Sequence, residues 1–295
     1  MSTNEIVILA TGLLASTACA LVGCFLLLRN MAMIGDAISH AVLPGIVIAF
    51  LMTGSRDSLW MLAAASVVGL LAVFLIQWFH RQGVQSDASI GVIFTAMFSV
   101  GVVLVSLYAD RVDLDLDCVL FGEINYAPWT KLELFGADIG PKSLWALGLA
   151  LLLSAGVIGA FYKQFKLCAF DPAMAAAVGI PAALFHYALM GLVSVTTVAS
   201  FESVGAILVL GMLVIPPASA YLMTERLSVM IAYSIGYGAV SVLLGYAAAA
   251  WLESSITGAT VAVSGVLFAI TLLFSPRHGV VRRALRLRGG ARTSE

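Results

Sequence analysis

The chain has 295 residues, of which 61% are hydrophobic and 11% are charged, and its mean hydropathy is +1.05. Soluble domains carry about 25% charged residues, so this composition excludes a soluble globular protein and predicts a chain that crosses a membrane several times. The formal net charge of −1 conceals an uneven distribution of charge, and four cysteines without a CxxC pair give little support to a disulfide framework or a zinc knuckle.

Nine apolar segments are each near the ~20 residues that an α-helix needs to cross a bilayer. Their approximate bounds are 5–28, 32–54, 58–79, 88–107, 142–163, 182–200, 203–223, 228–250 and 256–275. The first segment is too long, and its start too poor in basic residues, for a cleaved signal peptide. We therefore predict an all-α polytopic membrane protein with nine spans, or eight if one segment is re-entrant. Residues 1–275 form the membrane domain and residues 276–295 an arginine-rich tail.

Basic residues orient these spans, because cytoplasmic loops of membrane proteins are enriched in lysine and arginine. The tail after Ser275 holds six arginines, so we place it in the cytoplasm, and nine spans then put the N-terminus outside. Eleven of the fifteen basic residues face the cytoplasm in this topology: Arg29, Arg81, Lys163, Lys166, Arg226, Arg277, Arg282, Arg283, Arg286, Arg288 and Arg292. Juxtamembrane arginines ordinarily meet anionic lipid, so lipid, not nucleic acid, is the expected partner of the tail.

Residues 35–45, GDAISHAVLPG, place an aspartate and a histidine inside an apolar span. Asp36 and His40 are four residues apart and therefore share one helical face. Pro44 lacks the N–H that would bond to the His40 carbonyl in a regular helix, so it predicts a kink and a freed carbonyl. Ionisable groups at membrane depth are costly and mark the pathway of an ion or substrate. The alternative is a polar pair that hydrogen-bonds between packed helices.

The connection over residues 108–141 is predicted to lie outside and is acidic. Seven carboxylates there oppose two basic residues, a distribution that would raise the local concentration of a cation. The alternative is a loop kept soluble by its charge. Its aromatic residues, Phe121, Tyr126, Trp129 and Phe135, indicate an ordered segment that could serve as a docking surface.

Residues 166–181, KLCAFDPAMAAAVGIP, predict a short cytoplasmic helix with a signal at each end. Asp171 suits the N-cap and Pro172 the first helical position. An alanine run favours helix, and Gly179 fits the position at which helices stop. This helix is either an ordinary interfacial helix or a lever for a soluble partner.

The later spans carry two further features. Glu202 lies at the outer turn between two spans, where it is a candidate secondary pathway residue. Pro216 and Pro217 are predicted to break the seventh span and to free the carbonyls of Met212 and Leu213.

Three stretches now carry a resemblance: GDAISHAVLPG, FDPAMAAAVGIP and SFESVGAILVLGMLVIPPASA. Together, and in this order, they resemble the permease subunits of bacterial ABC importers for manganese, zinc and ferrous iron. The similarity extends from the first apolar segment to TGATVAVSGVLF, residues 257–268. Residues 126–145 look more like the manganese/iron branch than the zinc branch. The resemblance implies a multi-pass protein of the bacterial plasma (inner) membrane.

The resemblance also implies roles for particular residues. Asp36 and His40 match the membrane-embedded cation site of the family, and residues 170–179 match the coupling helix that fits a groove on the ATP-binding subunit. An extracytoplasmic binding protein would deliver the metal to the outer loops, and no permanently bound cofactor is implied. The residues expected to couple to the ATPase are Phe170, Asp171, Pro172, Ala175, Ala176 and Gly179.

The chemistry of the pair agrees with this implication. Carboxylate oxygen and imidazole nitrogen suit manganese, iron and zinc, whereas thiolates would favour zinc or copper(I). A ligating histidine must be unprotonated at the bound nitrogen, so binding is expected to weaken at low pH. One chain supplies too few ligands for a closed site. We therefore expect a second permease chain, identical or pseudo-symmetric, to supply another aspartate and histidine.

Other classes of function are less well supported. The chain has no Gly-x-x-x-x-Gly-Lys-Ser/Thr motif, so energy must come from another subunit or from an ion gradient. The main alternative is a proton-coupled secondary transporter or channel that uses Asp36 and His40 as a relay, although the internal repeats of such proteins are not evident. The absence of HExxH and GxSxG motifs disfavours an intramembrane enzyme. A permease for a chelated metal is disfavoured because a chelate brings its own ligands.

Overall fold

The computed structural model describes residues 3–53, 58–108, 124–134 and 137–275. The arginine-rich tail and half of the acidic outer loop (109–123 and 135–136) lie outside these residues, and so do the predictions made for those parts. The elements, in chain order, are α1 (Thr3–Leu28), α2 (Met33–Ala41), α3 (Leu43–Thr53), α4 (Ser58–Arg81), α5 (Ser86–Leu107), β1 (Lys131–Leu134), β2 (Ala137–Pro141), α6 (Lys142–Ala160), α7 (Tyr162–Phe170), α8 (Pro172–Ala177), α9 (Ala182–Val204), α10 (Ala206–Met223), α11 (Leu227–Leu252) and α12 (Ile256–Phe274).

The all-α membrane fold predicted from the sequence is confirmed. Over the described residues, nine segments are helical, long and apolar enough to cross a bilayer. Eight of them are single helices, and the remaining one, Met33–Thr53, consists of α2 followed by α3. The short helices α7 and α8 lie between the fifth and sixth of these segments, where the sequence predicted a cytoplasmic connection.

Helix α1 runs through the centre of the bundle and packs against α6, α9, α10 and α11. Its middle is fully buried and consists largely of small side chains, including Ala15, Ala18, Cys19 and Ala20. Small side chains let helix backbones approach closely, which matters in lipid because burial of apolar surface contributes little to helix association there. Two groups of helices, α2–α5 and α10–α12, are joined by α9, which contacts both groups, and by a direct contact of α2 with α10.

Hydrogen bonds between buried hydroxyl groups and their neighbours fix the position of α9. Ser154 of α6 and Thr196 of α9 lie 3.0 Å apart at their hydroxyl oxygens. Ser194 of α9 donates to the carbonyl of Ser66 in α4, at 3.2 Å. Such contacts orient helices in an apolar medium, where an unpaired hydroxyl is costly.

Pro216 and Pro217 do not interrupt their span, because α10 is helical throughout Ala206–Met223, and a kink at these residues stays a prediction. In a helix, Pro217 leaves the Leu213 carbonyl without its usual partner four residues ahead. Helix α1 approaches this point at Gly23, where an added Cβ would overlap the Leu213 carbonyl oxygen. Close packing by a neighbouring helix is one way in which membrane helices tolerate internal proline.

The described part of the outer connection returns to the bundle. A single 3₁₀ turn, Ile124–Tyr126, buries Ile124, and a two-stranded antiparallel hairpin follows. Leu134 pairs with Ala137 at the tip of the hairpin, and a bulge lies between Lys131 and Glu133. The sequence predicted an ordered connection but not this hairpin. Tyr126 and Trp129 are exposed beside it.

Candidate functional site

Asp36 and His40 lie one turn apart on α2, as their spacing predicts. His40 Nε2 is 3.6 Å from Asp36 Oδ1, which is too long for a hydrogen bond. Two ligands that are each about 2.1 Å from one metal ion stand about 3.0 Å apart at a right angle and about 3.4 Å apart at the tetrahedral angle. The observed separation is close to this spacing, so one cation can bridge the two atoms after a small movement.

The surroundings of the pair differ from those of a structural polar contact. Among the described residues, neither side chain hydrogen-bonds to a neighbouring helix. The His40 side chain is 29% exposed and that of Asp36 is 41% exposed. Both groups therefore keep their ligating atoms available at the surface of a single chain.

Helix α2 is held against α10 directly beside Asp36. Gly35 allows this contact, since an added Cβ there would overlap the Leu213 side chain. Ile34 and Ile38 are buried on the inner face, and the Ser39 hydroxyl donates to the Gly35 carbonyl at 2.9 Å. The apolar positions therefore fix the rotation of α2, and this rotation directs Asp36 and His40 to the open side.

The span is interrupted immediately after the pair. Helix α2 ends at Ala41 and α3 begins at Leu43, which places Pro44 in the first turn of α3, where its missing N–H costs no helical bond. The Val42 amide donates to the carbonyls of Ile38 and His40. The His40 carbonyl, which the sequence predicted to be freed, thus has a backbone partner.

Two aromatic rings of α5 flank the His40 imidazole. The ring of Phe94 lies 5.3 Å from it, tilted by 52°, and the ring of Phe98 lies 5.9 Å away in an edge-on arrangement. These contacts limit the rotation of the imidazole and shield one side of it from water. Sequence reasoning missed both residues, because nothing in the local pattern of α5 distinguishes them from other buried aromatic residues.

The described residues of one chain offer few clustered candidate ligands for a metal ion. In this part of the chain, no group of three or more histidine, cysteine, aspartate or glutamate side chains could hold a metal ion. Asp36 and His40 offer two candidate ligands, and we call this pair the half-site.

The short helix α8 has both of the predicted end signals. The Asp171 carboxylate accepts from the Met174 amide at 2.8 Å, and Pro172 occupies the first helical position. At the other end, Gly179 adopts a φ of 84°, and the amides of Gly179 and Ile180 bond back to the carbonyls of Ala176 and Ala175. This Schellman ending and the Asp171 cap hold a six-residue helix that is too short to persist unaided.

The residues expected to couple to the ATPase differ in their exposure. Ala175 is fully buried, and α8 packs against α7 and α9, so Ala175 contributes to this packing in the single chain. Ala176 is exposed. Three large apolar side chains are also exposed around the helix, and we call them the apolar docking face: Phe170, Met174 and Val178. Sequence reasoning identified only the first of these, although the four-residue spacing of Met174 and Val178 was a readable signal.

Glu202 lies near the end of α9 and pairs with a lysine of α6. Its Oε1 is 2.7 Å from Lys142 Nζ. The Glu202 side chain is 43% exposed. This carboxylate is therefore neutralised by an ion pair at the end of the bundle that the topology places outside.

Comparisons with known proteins match the chain to one family and to several relatives. A model of the ABC 3 transport family matches residues 4–275. The chain is 52% identical over 279 residues to the manganese transport system membrane protein MntD of Bacillus subtilis, with 95% of each chain covered. It is 40% identical over 287 residues to the zinc transport system membrane protein TroD of Treponema pallidum, with 97% of this chain and 77% of the relative covered. The solved structure of PsaBC from Streptococcus pneumoniae in complex with Fab contains a chain with a TM-score of 0.79 and 29% identity, with 98% of this chain and 96% of that chain covered.

Proposed function

We infer the function of this chain from its family, because the chain belongs to the ABC 3 transport family. It is the membrane-spanning permease subunit of an ABC importer for a divalent transition metal, and it is not itself an enzyme. ATP hydrolysis in this family belongs to a separate subunit. A proton-coupled secondary transporter or channel is not favoured by this membership.

We propose that Asp36 and His40 bind the transported cation directly. The observation that carries the proposal is the 3.6 Å separation of Asp36 Oδ1 and His40 Nε2. Both side chains are partly exposed, and within the described residues neither is bonded to another helix. A carboxylate offsets the charge of the cation, and an imidazole suits borderline metals. The Phe94 and Phe98 rings keep the imidazole oriented toward the cation.

We propose that a second permease chain, identical or homologous, completes this half-site. The exposed flank of Asp36 and His40 supports the proposal. A second chain would add an equivalent aspartate and histidine, which gives four protein ligands to one cation. The expected stoichiometry is one bound metal ion for two permease chains.

We propose manganese as the principal cargo, with zinc or ferrous iron as the alternatives. The proposal is supported by the Bacillus subtilis relative, which is named as a manganese transport protein and matches nearly the whole chain. The Treponema pallidum relative is named for zinc, and an oxygen–nitrogen ligand set accepts either metal.

We further propose how the other subunits contact the chain. The ATP-binding subunit docks on the apolar docking face around α8, where three large apolar side chains are exposed within a short stretch of chain. An extracytoplasmic metal-binding protein docks on the outer connection, where Tyr126 and Trp129 are exposed. The chain lies in the bacterial plasma membrane with its C-terminus in the cytoplasm, as the distribution of basic residues indicates.

Metal uptake by cells that lack the native chain tests the cation site. Asp36→Asn keeps the shape of the side chain and deletes its charge, and His40→Ala deletes the imidazole. Removal of a residue that only hydrogen-bonds to a metal ligand lowers affinity or activity by roughly 10- to 100-fold. Each of these two changes removes a ligand itself, so each is expected to lower manganese uptake by more than that factor. Asp87→Asn, in the first turn of α5, is the matched control for loss of an exposed carboxylate.

The same cells separate chemistry from stability. The amount of each variant in the membrane and its co-purification with the ATP-binding subunit should equal those of the unchanged chain. Element-by-element metal content of the cells identifies the cargo. Normal accumulation of every transition metal in the Asp36→Asn cells would refute the cation site.

A further inference from the structure

One arginine side chain ties the end of α1 to both sides of the segment that carries α8. Arg29 follows α1 directly, and its Nη1 donates to His186 Nδ1 at 2.9 Å. Its Nη2 donates to the Cys168 carbonyl at 3.2 Å. Cys168 lies in the last turn of α7 and His186 near the start of α9, so the two acceptors flank α8 on either side. We call these contacts the Arg29 link.

The link has one allowed arrangement of protons. A guanidinium only donates hydrogen bonds, so His186 Nδ1 must accept and its ring proton must lie on Nε2. His186 is 7% exposed, and its Nε2 has no partner among the described residues. Arg29 is partly buried, and this burial lowers the pKa of its guanidinium from the ordinary value. A partly buried cation that is held by two acceptors on different elements resists separation of those elements, because separation would break both hydrogen bonds.

Aromatic packing joins the same elements beside the link. Phe25 of α1 meets Phe165 of α7 with ring centres 6.0 Å apart, and Phe165 meets Phe185 of α9 at 5.2 Å. These rings account for adhesion between the elements. The two hydrogen bonds of Arg29 are directional, so they also set how the end of α1 is oriented relative to α7 and α9.

The connection from Arg29 to the cation ligands is short and tight. Four residues, 29–32, join α1 to α2, and Asp36 lies in the first turn of α2. Asn30 takes the left-handed conformation with a φ of 55°, which asparagine tolerates better than most residues. The amides of Asn30 and Met31 bond back to Leu27 and Leu26 at 3.0 and 2.9 Å. Because this connection is short and hydrogen-bonded, a displacement of the Arg29 backbone also displaces the start of α2.

We propose that Arg29 is a positioning residue that transmits movement of α8 to Asp36 and His40. When the ATP-binding subunit displaces α8, the Cys168 carbonyl and His186 move with it, and the guanidinium carries the α1–α2 connection along. Arg29 does not touch the cation. The inference rests on the proposed function, since it presupposes an ATP-driven subunit at α8 and a cation at α2.

The test uses the complete importer in proteoliposomes, with its ATP-binding subunit and its metal-binding protein. Arg29→Met keeps an unbranched side chain but donates no hydrogen bond, and Arg29→Lys keeps the charge but reaches both acceptors poorly. Arg226→Met is the control, because Arg226 is an exposed cation on the same side of the predicted topology. Two quantities are measured: ATP hydrolysed per manganese ion transported, and affinity of the complex for manganese without ATP.

Arg29→Met is expected to raise the ATP hydrolysed per manganese ion by about tenfold, the size of a typical coupling between two sites. Manganese affinity should stay within about twofold of the unchanged complex, because loss of the link alters coupling and not the ligands. The ATP hydrolysed per manganese ion by Arg29→Lys should lie between the values of Arg29→Met and of the unchanged complex. Arg226→Met should change neither this ratio nor the manganese affinity.

An unchanged ratio of ATP to manganese in Arg29→Met overturns the inference, and so does a fall in manganese affinity that matches the fall in transport. Should Arg29→Met not assemble, His186→Leu decides, since it deletes one acceptor and leaves the arginine in place. It must raise the ratio in the same direction by a smaller factor, and an unchanged ratio there overturns the inference. Failure of the proposed function is seen separately, as manganese transport that persists in Asp36→Asn.

Discussion

The apolar docking face allows a quantitative prediction for assembly with the ATP-binding subunit. Phe170, Met174 and Val178 are 54%, 52% and 61% exposed. Complete burial of one such side chain stabilises by about 1.5–3 kcal/mol. Covering the exposed half of Met174 should therefore contribute about 0.8–1.5 kcal/mol to binding. The change Met174→Ala is thus expected to weaken binding of the ATP-binding subunit by about 4- to 13-fold.

The measurement is an equilibrium titration of the purified permease with the ATP-binding subunit in lipid nanodiscs. Met52→Ala is the matched control, because Met52 is an 82% exposed methionine at the end of α3 that the topology places outside. It should leave the dissociation constant unchanged. Met174→Glu should weaken binding further than Met174→Ala, because it brings a charge into the buried contact.

Two results would contradict this reasoning. If Met174→Ala and Met52→Ala behave alike, Met174 is not covered by the partner. If Met174→Glu leaves binding intact but releases the end of α7 and α8 from lipid vesicles, the apolar side chains face the membrane surface and the helix is merely interfacial.

Two further predictions concern topology and packing. An impermeant maleimide added outside intact cells should label Cys118, which lies in the connection predicted to be outside, and not Cys19, Cys24 or Cys168, which are buried. The same reagent should not label Arg288→Cys in a Cys118→Ser background. The reverse pattern would show that the orientation is inverted. Gly23→Ala should destabilise the purified permease by about 1–3 kcal/mol, because its methyl group would overlap the Leu213 carbonyl. The control Gly148→Ala, where an added Cβ meets nothing within 4 Å, should leave the midpoint of thermal unfolding unchanged, and equal effects of the two changes would argue against the α1–α10 contact.

The features that the sequence predicted well are those set by local pattern. Hydropathy located the spans, because a bilayer imposes both length and composition on a helix. The caps of α8 were readable because Asp171, Pro172 and Gly179 act on their own backbone neighbourhood. The spacing of Asp36 and His40 placed them on one face for the same reason.

The remaining features depend on which helices become neighbours, which no local pattern states. Proline propensity predicted a break in α10, but the helix continues through both prolines and packs closely against α1 at Gly23. The sequence placed Ala175 among the residues expected to couple to the ATPase, but it did not show that α7 and α9 bury this side chain. The Arg29 link joins residues that are far apart in the chain, so Arg29 appeared in the sequence only as a cytoplasmic charge.

The sparse ligand set of the proposed cation site would have a consequence for the speed of transport. Two side chains from one chain, or four from two, would leave part of the coordination shell of a manganese ion to water. A cation that keeps some of its water enters without full dehydration and leaves without breaking many bonds at once. Passage through a membrane needs binding strong enough for entry and weak enough for departure. Adding a further carboxylate beside Asp36 should therefore lengthen the residence of the ion and slow turnover, even as equilibrium affinity rises.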